Sequence, residues 1–131
     1  MFLHRTLAAA LAVSLALVAQ SALAGAKDYT LELVETIRPV GAGAILTVRL
    51  TDLRSGAPVE DAVIFATRMD MAPDGMETMT TPVTLLPTEA PGQYRFSTDL
   101  TMAGNWRFSV AVKVQGEVET VEAELLLQAE Q

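Results

Sequence analysis

Beyond residue 24 this 131-residue chain contains neither cysteine nor histidine, yet it concentrates methionine. Met69, Met71, Met76 and Met79 fall within eleven positions, and Met102 follows in a similar turn further along. Thioether sulfur is a soft, uncharged donor that suits Cu(I) better than hard cations. Three uses of these residues stand open. They could be flexible filler for irregular gaps in or around a core. They could form a Cu(I) site of three or four thioethers. They could make an exposed patch that meets a protein partner or takes up oxidant. Asp70, Asp74 and Glu77 lie in the same stretch. They would add long-range attraction for a cation, or form the solvated rim of a turn. Their spacing matches no EF-hand calcium loop.

Other side-chain chemistry is scarce. A Ser-His-Asp or Cys-His nucleophile cannot be built without His or Cys, and catalytic zinc sites depend on the same residues. No acidic pair is framed by apolar residues that would shift a pKa for acid–base work. The chain is therefore expected not to be an enzyme. Gly41-Ala42-Gly43 joins two strands rather than a strand and a helix. The helix N-terminus that cradles phosphate is missing, so this is a turn.

The elements that must position the methionines begin after an export signal. His4 and Arg5 give a positive start, Leu7 to Val18 is apolar except for Ser14, and Ala22-Leu23-Ala24 supplies the small-x-small cleavage pattern. Residues 1–24 are expected to be a cleaved signal peptide. An uncleaved anchor is the rival, but spanning needs about 20 apolar residues and Ser14, Gln20 and Ser21 interrupt the run. The predicted location is the periplasm, with membrane contact only transient, through the signal. Residues 25–131 are then one domain. Without residues 1–24 the chain carries eight basic against sixteen acidic residues, a formal charge of −8. That balance disfavours nucleic acid and anionic lipid as partners.

Hydrophobic residues alternate with period two almost throughout, which is the strand signal. Seven strands are predicted: around Tyr29–Leu33, Leu46–Thr51, Ala62–Met71, Val83–Leu85, Tyr94–Asp99, Trp106–Val114 and Val121–Leu127. The third is apolar on both parities at first, as a central strand would be. Met69 and Met71 share the parity of Val63 and Phe65, so all four are expected on one face. Gly- and Pro-containing clusters separate the strands and carry turn chemistry. Seven short strands in about 100 residues predict an all-β, immunoglobulin-like β-sandwich, with a small open barrel as runner-up. Trp106 is the expected central aromatic. Gln128 to Gln131 is expected to fray. Glu117, Glu119, Glu122 and Glu124 form an acidic run, read as a solvated edge that resists pairing or as a docking strip for a basic partner.

Strands that run up and down place alternate connections at one end of the sandwich. The connections at 38–43, 71–79 and 101–105 would then share a pole, bringing Met71, Met76 and Met79 toward Met102.

These residues also resemble a family. Gly56-Ala57-Pro58-Val59, Met69-x-Met71 with Met76 and Met79, Gly92-x-Tyr94 and Met102-x-Gly104-x-Trp106 look like the YtkA-like domain, related to FixH, over roughly residues 28–127. The resemblance implies an exported or membrane-anchored immunoglobulin-like domain, with links to copper handling in some members. The loop departs from the commoner Met-Pro-x-x-Gly-Met spacing and reads Met71-Ala72-Pro73-Asp74-Gly75-Met76. The expected cofactor is Cu(I) on Met69, Met71, Met76, Met79 and Met102, or none. The expected partner is an envelope protein or copper protein.

Overall fold

The computed structural model describes residues 26–88 and 90–131. The expected signal peptide at 1–24 lies outside the described residues. Among the described residues, nine strands form two sheets: β1 (Tyr29–Leu33), β2 (Ile37–Pro39), β3 (Gly41–Asp52), β4 (Val63–Met71), β5 (Met76–Thr81), β6 (Val83–Leu86), β7 (Gln93–Leu100), β8 (Gly104–Lys113) and β9 (Val121–Glu130). One sheet has the order β1-β3-β7-β6, the other β2-β9-β8-β4-β5. This is the two-sheet arrangement of an immunoglobulin-like sandwich, with the four-stranded layer corresponding to A-B-E-D. Among the described residues no helix is long and apolar enough to cross a membrane.

The seven expected strands are all present, and two more, β2 and β5, raise the count to nine. β2 is three residues ending in Pro39 and pairs parallel with Gln128–Glu130. That pairing orders the tail expected to fray. β5 forms a hairpin with β4 and then passes through Pro82 to the other sheet as β6. Because β5 and β6 run on in one direction, the up-and-down order is kept.

The alternation works as read wherever the ladder is regular. In β7, Tyr94, Phe96, Thr98 and Leu100 are buried while the residues between them are half-buried. Leu46, Val48 and Leu50 of β3 meet Trp106, Phe108 and Val112 of β8 within one core cluster. Phe96 of one sheet and Phe108 of the other contact edge to face, with centroids 5.0 Å apart, the geometry the ring quadrupoles favour.

In β4 the parity expectation fails. Val63 and Phe65 are exposed, whereas Met69 and Met71 are fully buried. The ladder with β8 shifts between Ile64 and Ala66, so one extra residue is inserted at Phe65. A bulge reverses which side chains face inward beyond it. The expected central strand is correspondingly open over Val63–Arg68, where only Ile64 is even half-buried.

The far pole is closed by tyrosines. Tyr94 accepts the Ala62 N–H at 3.0 Å and donates to the Val59 carbonyl at 2.9 Å. Tyr29 donates to Glu117 at 2.7 Å, and burial together with that carboxylate pushes the phenol up to about 12. Glu119 accepts the Ala26 N–H at 2.9 Å. Three of the four residues of the acidic run thus have partners, since Glu124 lies 3.8 Å from the Arg107 guanidinium. Glu122 and Glu124 remain exposed on a stretch of β9 that β2 does not cover.

Truncating Phe96 to Ala removes one half of the inter-sheet aromatic pair from a site with no exposed surface. Urea denaturation should show a loss of about 3–5 kcal/mol with the fold retained.

Candidate functional site

The site is built from two turns at one pole. β4 ends at Met71, and a single 3-10 turn, Ala72–Asp74, reverses the chain. Pro73 sits early in that turn, where its missing N–H is not needed. Gly75 closes it in the left-handed region at φ 74°, donating its N–H to the Ala72 carbonyl at 2.9 Å. The expected long connection at 71–79 is therefore a tight turn that leads straight into β5. The second turn joins β7 to β8 and carries Met102.

The two turns are fastened together. Asp74 accepts the Asn105 backbone N–H at 2.8 Å and the Asn105 side-chain amide at 2.9 Å. Those two bonds hold the Asp74 carboxyl below its usual range. Gly104 leaves the space for this approach. A β-carbon there would lie 2.5 Å from Asp74 Oδ2 and 2.6 Å from Met71 Cε. At φ +142° the backbone also favours glycine. Two residues on from Gly104, the buried Trp106 donates its indole N–H to the Met102 carbonyl at 3.1 Å. Each part of Met102-x-Gly104-x-Trp106 thus has a structural role: an acceptor carbonyl, a gap and an anchor.

The five methionines divide into two groups. Met69 and Met71 have no exposed surface and belong to the core cluster. They are not open to solvent, which corrects the expectation of an open five-sulfur patch. Met76, Met79 and Met102 are 36%, 37% and 37% exposed. Met71 lies directly behind the junction, with Met76 opposite it in the β4–β5 ladder. Met79 falls where that ladder is interrupted, between the Asp70–Thr80 and Met71–Met76 pairs. The sharing of a pole predicted for the connections at 71–79 and 101–105 is observed for the turn at 71–76 that stands in place of the first, and Gly41 paired with Leu100 brings the 38–43 connection to the same end. Among the described residues no group of three or more His, Cys, Asp or Glu could hold a metal.

Beside this pole lies a feature that residue spacing did not reveal. Asp70, expected on a solvated rim, is fully buried. Its Oδ2 accepts Arg68 Nε at 2.8 Å and Arg107 at 2.9 Å, and its Oδ1 accepts the Ala72 N–H at 2.9 Å. Burial raises the carboxyl pKa, but the bonds from Arg107, Ala72 and Arg68 outweigh it and hold the group below 3.8. Asp70 therefore pins the first residue of the methionine turn to the outer face of the sheet. The usable signal was Arg68-x-Asp70, two charges of opposite sign on one strand face, with Arg107 in the neighbouring strand.

The model of the YtkA-like family matches residues 23–111, and the chain belongs to that family. No curated protein matches. Of solved structures, the Lin-41 filamin domain aligns with a TM-score of 0.50 at 18% identity, over 80% of this chain and 94% of that one. The ZirS C-terminal domain aligns with a TM-score of 0.47 at 14% identity, over 80% of this chain and 67% of that one. The filamin-domain likeness shows the fold alone.

A carboxyl with a lowered pKa stabilises the fold in full above its unfolded value of 3.8, and the contribution is lost as pH falls through the lower folded value. Asp70→Asn should cost about 1.5–3 kcal/mol at neutral pH, because two guanidiniums lose their shared acceptor. The gap between parent and variant should close as pH falls below 3.8, read by urea denaturation across a pH series.

Proposed function

We propose that the protein is an exported, non-enzymatic binding module that holds Cu(I), or hands it on, at the methionine pole. The observation that carries this reading is the fastening of the Met102 turn to the Met71–Met76 turn through Asp74 and Asn105. Three partly exposed thioethers, Met76 and Met79 of β5 and Met102 of the second turn, belong to the elements that meet there, which supports the reading. Met76, Met79 and Met102 are the first ligands. Met71 is a fourth donor that requires a side-chain rearrangement, since its sulfur is covered. Met69 serves the core. A partly exposed set of neutral sulfurs suits reversible loading from, and release to, another soft-donor protein. The expected setting is the periplasm and the expected partner is a copper protein or envelope protein.

A second reading is a protein-interaction module that uses the same pole without metal. Exposed Ile37 and Leu126 flank a shallow depression that also includes Pro73 and Asn105, so apolar surface adjoins the methionine turn. Capture from membrane extract separates the two readings: retention of the same partner with a copper chelator present favours the second.

Anaerobic Cu(I) titration against a competing chromophoric chelator tests the first. Met76→Leu and Met102→Leu keep volume and apolarity, and each should weaken binding about tenfold or more. Met69→Leu should leave affinity unchanged. Thioethers release no proton on binding, so affinity should stay flat between about pH 5 and pH 8. Unchanged affinity in both surface variants would remove the sulfurs as ligands.

A further inference from the structure

A sheet edge on the flank of the molecule is left without the protection its other edges have. β5 pairs only with Met69, Asp70 and Met71 of β4 before the chain leaves through Pro82 for the other sheet. Below that point Val63–Thr67 pairs with β8 on one side. Among the described residues, no further backbone hydrogen bond involves this segment. Its sequence is Val-Ile-Phe-Ala-Thr, with no charge and no proline, and Val63 and Phe65 are 57% and 56% exposed.

The other edges are guarded in the usual ways. β2 is three residues long and ends in Pro39. β6 is four residues set between Pro82 and Pro87. β5 is polar and its ladder is interrupted. β1 is five residues and exposes Glu32. Natural sheets blunt free edges by shortness, proline, charge or bulges, because an open apolar edge recruits another strand. The bulge at Phe65 is the only such device within Val63–Thr67. The segment also has the apolar character on both parities that belongs to a strand covered on both faces.

The charges at its two ends are complementary under a two-fold rotation. Glu60 and Asp61 precede the edge and are exposed, with no ion pair among the described residues. Arg68 follows it, with its side chain 52% exposed. Antiparallel pairing of two copies about an axis near Phe65 sets Glu60 and Asp61 of one copy beside Arg68 of the other, twice over.

From this juxtaposition we infer that the protein self-associates through β4, Val63–Thr67 of one copy adding to Val63–Thr67 of a second to join two five-stranded sheets. Such an isologous contact closes as a dimer. It leaves the methionine poles at opposite ends of the pair, so it is independent of the copper reading.

Sedimentation velocity of the purified chain from about 1 μM to about 1 mM reads the association directly. A dimer is expected. Amide exchange at Ile64, Phe65 and Thr67 should slow as the dimer fills. Phe65→Lys, at an exposed position, should weaken dimerisation about tenfold or more while the Trp106 fluorescence of the fold is retained. Asp61→Asn removes the end charge but tolerates the positive φ of 61° there. It should weaken the dimer at low salt and have less effect at high salt. A chain that stays monomeric throughout, or a dimer unaffected by Phe65→Lys, would overturn the inference.

Discussion

The methionine pole depends on one junction, the seating of the Asp74 carboxylate on the backbone and side-chain amides of Asn105. Without it the β4–β5 turn and the β7–β8 turn would be joined only through β4 and β8, the adjacent strands that carry them. The junction needs a residue with no side chain between them, because Gly104 stands where a β-carbon would strike both Asp74 and Met71. It also needs a fixed base on each side. Trp106, fully buried and bonded to the Met102 carbonyl, fixes the second turn. Asp70, held by Arg68 and Arg107 and accepting the Ala72 N–H, fixes the first. Two carboxylates four residues apart thus do different work. One ties the turn down to its own sheet, and the other ties it across to its neighbour.

The methionines around this junction are not equivalent. The bulge at Phe65 turns Met69 and Met71 into the sandwich, where flexible thioethers fill space beside Phe108 and under Gly104. Met76, Met79 and Met102 stay at the surface because the ladder of β5 is interrupted and because Met102 contributes its carbonyl, rather than its side chain, to the anchor. Sulfur in this domain therefore has a packing role and a surface role, divided by one inserted residue. Membership of the YtkA-like family and the sandwich fold follow from the chain and its comparisons. The chemistry proposed for the pole rests on the exposed three.

The architecture was legible because period-two alternation survives in every strand whose ladder is regular, β7 and β8 above all. β2 and β5 were not legible. β2 is three residues long and runs into proline, and β5 reads Met-Glu-Thr-Met-Thr-Thr with only its last residue buried. Neither offers an alternation to detect, and both are strands because a neighbour supplies the hydrogen bonds. The common pole was legible from strand order, since β5 and β6 continue in one direction and leave the up-and-down count unchanged. The depth of Met69 and Met71 was not, because a bulge reverses facing without leaving a mark in composition. Asp70 was misjudged for a related reason: an acid at a strand end, three residues before Pro73, reads as the rim of the turn that follows, and only the partner strand shows that Arg107 lies across from it.

The most direct measurement follows the methionine methyl groups themselves. Carbon-13 labelling of the methionine ε-methyls gives each sulfur its own resonance in the folded protein. On anaerobic addition of one equivalent of Cu(I), the account predicts that the signals of Met76, Met79 and Met102 shift together while that of Met69 stays in place. Spectra in which the three surface methyls do not move, or move only with a large excess of metal, would contradict it.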